Sequence, residues 1–333
     1  MATYKELHGI NVQYRDADAP EKIGDVWYNS STGKLRMYAS TQAWASAANL
    51  NTARSLGGGA GPGPAHIAFS GSTAHNRAGI TSNVESYDGS AWTETTNMGT
   101  ARYNKVGSAG TSTAALGFGG YEDIADAPRN SDKNESWDGS SWTELGDLTI
   151  GRSEATGCGT QTAALLAGHY GSGHTEEWNG TSWAEQNNLN TPRYGLSGAG
   201  IQTAAIVHGG YYPSTHAVAE KYDGTSWTEV GDLNTGRYKH GGSGTQDDNI
   251  AFGGSSDGSA EGVAITESYD GSSWTEIADQ SLARMSTQSG HNASSDQAMV
   301  AGGHRGGDTS PTDTVATSEE YTGVASVETV AFD

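Results

Sequence analysis

Very little in this chain could serve a disulfide framework, a zinc finger or a membrane span. One of its 333 residues is cysteine, Cys158, which excludes a disulfide network, a Cys-rich zinc site and a Cys–Cys redox pair. Cations are scarce too: 18 Lys and Arg stand against 39 Asp and Glu, for a formal charge of -21. Phosphate backbones are held mainly by Lys and Arg, so nucleic acid is not an expected partner. The longest apolar runs, such as Ala163–Ala167, are far shorter than a spanning helix, and membrane insertion is not expected. Met1–Gly9 lacks the apolar core of a signal peptide, so export by that route is not expected either. Apolar residues make up only 34%, yet nine Trp and fifteen Tyr argue for a packed fold rather than disorder.

What is abundant is glycine, 48 residues of it, and it is periodic. Trp44, Trp92, Trp142, Trp183, Trp227 and Trp274 recur 41 to 50 residues apart, and ten residues after each comes Arg54, Arg102, Arg152, Arg193, Arg237 or Arg284. Five residues before five of these tryptophans sits Tyr87, Trp137, Trp178, Tyr222 or Tyr269. The intervening Asp-Gly or Asn-Gly is a hairpin signal, because a primed turn needs residues that tolerate φ > 0. After each Arg, a short apolar run ends in a small pair: Ser70-Gly71, Gly119-Gly120, Ala167-Gly168, Gly209-Gly210, Gly253-Gly254 and Gly302-Gly303. Nearly continuous apolar runs of four or five residues suit strands covered on both faces. Each unit therefore reads as four short strands, the first starting at the Arg and the last carrying the Trp. Radially repeated four-stranded units imply an all-β fold, a β-propeller.

Gly-Gly after an apolar strand, followed by an aromatic and a Trp across a tight turn, resembles the kelch and galactose-oxidase-type propellers from about Trp44 onward. Six units run from Arg54 to the end, and residues 49–333 are assigned to them. Residues 1–48 are read as strands of a degenerate first blade, in which Tyr38 and Trp44 take the place of a blade's last hairpin. Seven blades are therefore expected. The alternative is six, with the Trp44 hairpin completing the last blade.

Glu85, Glu135, Glu176, Glu220, Glu267 and Glu319 each lie two residues before the third strand's aromatic. Six glutamates and six arginines fit a one-to-one structural pairing, since a residue demanded in every unit is a part of the scaffold. The repeat tryptophans are likewise read as blade core. The second-to-third-strand connections vary from 8 to 16 residues while the aromatic-to-Trp and Trp-to-Arg intervals are fixed. Variable loops on a rigid frame are where binding is expected. That end carries Tyr121, Tyr170, Tyr211 and Tyr212, which are candidates to stack on sugar rings or anchor a partner, and His75, His169, His174, His216 and His304. Of these, His169 and His304 join the tyrosines as candidate binding residues. No spacing fits a metal site, a nucleophile motif, a P-loop or a dinucleotide fingerprint. No catalytic residue, metal or cofactor is expected, and the chain is not expected to be an enzyme.

The stretch GDVWYNSSTGKLRMYASTQAW is similar to a hairpin module of bacteriophage tail and other virion proteins, matching it at Gly24, Asp25, Trp27, Tyr28, Asn29, Gly33, Leu35 and Tyr38. The whole chain is similar to kelch-like structural proteins of marine phages. The resemblance implies a tail, fibre or head-surface component that assembles in the host cytoplasm and docks on other virion proteins. A host surface glycan is a further expected partner, and self-association in the particle a further expected arrangement. The alternatives carried from the sequence are a lectin or depolymerase on the same scaffold and an intracellular kelch scaffold.

Overall fold

The computed structural model describes residues 13–17, 26–74, 77–122, 129–258, 261–291, 294–306 and 313–329. The chain divides into two compact units, one of Met1–Ala43 with Thr322–Asp333 and one of Trp44–Tyr321. Trp44 belongs to the larger unit. In the smaller unit Val26–Asn29 pairs antiparallel with the start of the strand Lys34–Ala47, and Gln13–Arg15 runs parallel beside it. The turn closes through the Gly33 N–H on the Asn29 carbonyl, 2.8 Å, and Trp27 is buried. Gly24 and Asp25 lie outside the described residues.

The larger unit is built of repeated antiparallel sheets. In the fourth, Ser197–Ile201, Ala204–His208, Ala219–Tyr222 and Trp227–Val230 lie side by side in chain order. Burial falls along that order. The first two strands are almost wholly buried, and the last keeps only its Trp inside. First strands gather at the centre, where space is short, and are made of small residues such as Gly58–Ala60, Gly107–Thr111, Thr156–Gly159 and Gly241–Gly244. A Cβ at Gly157 would stand 2.6 Å from the Ser108 carbonyl of the preceding sheet, which is why that position is glycine. The Asp-Gly hairpins are as expected, with Gly224 at φ +89° beyond Asp223.

Six hydrophobic clusters fill the spaces between neighbouring sheets rather than one common centre. Each repeat Trp packs on the sheet before its own: Trp142 on Phe69, Trp183 on Phe118 and Trp274 on His208, with ring centroids 4.9–5.1 Å apart. Trp44 packs in the same way on Phe252, at 4.9 Å, and its sheet partner is Tyr321, at 5.3 Å. The strand Lys34–Ala47 lies next to Ser318–Thr329, which continues to Met299–Ala301 and Gln288–Ser289.

Among the described residues six inner strands follow one another, and the last meets the first through the Gly59–Gly290 bridge. A belt of backbone hydrogen bonds runs the whole circle. The N–H groups of Leu56, Lys105, Glu154, Gly195, Lys239 and Ser286 each donate to the neighbouring sheet's belt residue, at 2.6–2.9 Å. Seven blades were expected; among the described residues six sheets take part in this ring. Trp44 keeps its ten-residue interval to Arg54 because its strand is the outer strand of the sixth sheet, not the end of a separate one. Its aromatic partner Tyr321 comes from the far end of the ring.

Candidate functional site

Each repeat arginine meets its glutamate. Arg54–Glu85 is 2.9 Å and Arg102–Glu135 is 3.0 Å, and Arg152–Glu176, Arg193–Glu220, Arg237–Glu267 and Arg284–Glu319 are in direct contact, all with essentially buried side chains. The guanidinium also donates to strand carbonyls, as Arg102 does to Gly119 (3.0 Å) and Lys133 (2.7 Å). The carboxylate accepts N–H groups of the crossover entering the sheet, as Glu85 does from Asn51 (2.6 Å) and Glu220 from Asn190 (2.8 Å). Burial lowers the arginine pKa values, and the paired glutamates oppose that fall. Paired and buried in this way, these groups tie each crossover to the sheet it enters.

The first strands begin four or five residues beyond the Arg, later than expected, because the belt occupies the gap. Its residues Leu56, Asn104, Lys105, Glu154, Lys239 and Ser286 have φ between 54° and 65°, a left-handed backbone that costs about 1–3 kcal/mol where the residue is not glycine. The belt's own hydrogen bonds hold it there. Immediately before it, the residue following the repeat Arg forms a bridge with the residue following the small pair: Ser55 with Ser72, Tyr103 with Tyr121, Tyr194 with Tyr211, Tyr238 with Ser255 and Met285 with His304. These positions are equivalent from sheet to sheet, yet their residues are not.

The aromatic members collect on the second to fifth sheets. Tyr103 meets Tyr121 (5.5 Å between centroids), and a second run continues from Tyr212 to Tyr170 (5.5 Å), Tyr194 (5.1 Å), Tyr211 (5.7 Å) and Tyr238 (5.3 Å). Tyr170 is 67% exposed and Tyr212 39%, among the few large apolar rings left in solvent. The third sheet carries Ser153 after its arginine, where its neighbours carry tyrosine. A cavity of about 320 Å³ opens there, walled by Tyr121, Tyr170, Tyr194 and His169 and floored by Asn104, Asn130, Ser153 and Glu154.

The polar floor is already ordered. Ser153 donates to the Asn130 side chain at 2.9 Å and accepts from Asn104 at 3.3 Å. The Glu154 carboxylate is 3.1 Å from the Lys239 ammonium. Burial, then Arg152 and His174, pulls the His169 pKa down, and its Nδ1 meets no hydrogen-bond partner among the described residues. Burial also pushes the Tyr194 phenol up to about 12, so it stays protonated.

The structure thus brings Tyr121, His169 and Tyr170 to one cavity and ties Tyr211 and Tyr212 to its rim. His304 is buried on the sixth sheet, away from this cavity, and His75 lies outside the described residues. A larger hollow of about 760 Å³ lies at the other end of the ring, lined by Gly110, Gly159, Gly200, Gly244 and the turns after them. Its lining repeats from sheet to sheet, so its shape follows from the ring. The tyrosine cavity is made of residues that break the repeat, and that distinguishes it as the candidate site.

No protein-family model and no curated protein matches the chain. A solved structure, that of YjhT, superposes with a TM-score of 0.67 over 84% of this chain and 99% of its own, at 12% sequence identity. The fold is a β-propeller. At that identity the likeness reaches the architecture alone. The propeller's tyrosine cavity has to be read from its own residues. Tyr103, Tyr194 and Tyr238, Asn104 and Glu154 were not singled out from the sequence, although Arg-Tyr recurs at three of the six repeat arginines.

Proposed function

We propose that this propeller is a non-enzymatic structural and binding component of a bacteriophage particle, docked on other virion subunits and holding a host surface glycan on its tyrosine-bearing end. One observation carries the binding part: tyrosines gather at positions where the same scaffold accepts Ser55 and Ser72, around a cavity with an ordered polar floor. Folding does not require them there, and exposed aromatic faces beside amide and carboxylate groups suit sugar rings, which present both C–H faces and hydroxyls. Glu154, the one carboxylate among the described lining residues, is engaged by Lys239. The virion setting is supported by the kelch-like repeat and by the GDVWYNSSTGKL hairpin.

Two measurements test the reading. Mass spectrometry of gradient-purified particles is expected to find the chain as a stoichiometric component, and particles lacking it would remove the virion claim. Purified protein is expected to bind isolated host envelope polysaccharide without shortening it. Release of oligosaccharides would replace the reading with a depolymerase, and capture of a partner from uninfected cells would favour an intracellular scaffold.

A further inference from the structure

The geometry points to a narrower occupant for the tyrosine cavity: a single neutral pyranose ring at the end of a glycan, seated beside Ser153 in the cavity lined by Tyr121, Tyr170 and Tyr194. This inference rests on the glycan-binding reading above and deepens it.

Size comes first. The cavity holds about 320 Å³, the lower end of the range ligand sites span, about 300–1,000 Å³. Its lining comes from the second to fourth sheets, with the belt residues Asn104 and Glu154 among it. One ring fits that volume, and the rest of a chain can run past the exposed Tyr170 and its neighbour Tyr212.

Chemistry comes second. The floor offers Asn104, Ser153 and Asn130, coupled side chain to side chain. Side-chain amides both donate and accept, which matches hydroxyl groups that do the same. His169 adds a ring nitrogen with no protein partner among the described residues. Phenol rings in the lining supply apolar surface on which the axial hydrogens of a pyranose can pack.

Charge comes third. The described lining has one ionised group, Glu154, and Lys239 balances it at 3.1 Å. No Lys or Arg lines the cavity among the described residues. A uronic or sialic carboxylate would therefore be desolvated beside Glu154 with no cation of its own. A neutral hexose meets no such opposition.

The fold supplies an unusual control. Position 153 is tyrosine in the sheets on either side, Tyr103 and Tyr194, so Ser153→Tyr introduces a residue the scaffold already accepts there while filling the recess. The full chain is titrated by calorimetry with the methyl glycosides of glucose, galactose and mannose, and with methyl glucuronide. At least one neutral glycoside is expected to bind with a stoichiometry of one. Ser153→Tyr is expected to abolish that binding with an unchanged melting temperature, and Tyr170→Ala to weaken it about tenfold. Glucuronide binding as tight as that of the neutral sugars would overturn the neutral assignment. If Ser153→Tyr bound host polysaccharide as well as the parent chain does, the cavity would be the wrong seat while glycan binding itself stood. Absence of binding to host polysaccharide by the parent chain would remove both.

Discussion

Arg193 and Glu220 are both fully buried, and neither is a spectator charge. The arginine also donates to the Gly209 carbonyl at 2.8 Å, and the glutamate accepts the Asn190 N–H at 2.8 Å. Cutting one side chain strands the other charge inside the sheet. Glu220→Ala is therefore expected to destabilise the propeller by about 3–5 kcal/mol, with the Arg193→Met, Glu220→Leu double variant losing less, as read from urea unfolding midpoints. Buried histidines contribute to the pH response. Burial pulls the His66 imidazole down to about 4 from an ordinary 6.5, despite its bond to the Gly61 carbonyl, and His291 falls to about 3 for the same reason. Between those values and 6.5 the unfolded chain takes up protons that the folded chain refuses. Stability from these groups is thus complete above about pH 6.5 and falls as the pH drops, by about 1.4 kcal/mol per unit for each histidine. Urea midpoints measured from pH 7.5 to 4.5 should decline, and less steeply in His66→Gln. An equal slope in the two proteins would mean that His66 is not held neutral.

Strands show where local pattern suffices and where it fails. The Trp44 strand illustrates both. Its ring contacts, Phe252 at 4.9 Å and Tyr321 at 5.3 Å, join the chain's beginning to its end and complete the sixth sheet. Trp44→Ala is expected to cost about 3 kcal/mol and to raise amide exchange in Ser318–Tyr321 more than in the third sheet. Equal exchange in both sheets would show that this strand does not seal the ring. The four-strand unit, the Asp-Gly hairpins and the Arg–Glu partners were legible because each repeats at fixed spacing. Blade number was not, since Tyr38 sits near Trp44 in sequence and masks the real partner, Tyr321. The belt left no residue signature at all. Leu56, Asn104, Glu154, Gly195, Lys239 and Ser286 share a left-handed backbone and a hydrogen-bonding role, but no side-chain type. Of the site, Tyr121, His169 and Tyr170 were legible as loop residues next to the small pairs. Asn104, Ser153 and Glu154 were hidden because they meet the others only once the ring is closed.

Across the propeller, repetition and its exceptions divide the labour. The ion pairs, the tryptophans and the small first strands recur in almost every sheet and build the ring. The tyrosines depart from that symmetry on one side of one end, and the recess over Ser153 lies among them. A charge of -21 spread over such a body leaves neutral ligands unopposed. Amide hydrogen exchange with and without isolated host envelope polysaccharide tests this division most directly. The account predicts slowed exchange at residues 103–105, 153–154, 168–171 and 193–195, with no change at the Asp-Gly turns at the opposite end. Protection at those turns, or nowhere, would contradict it.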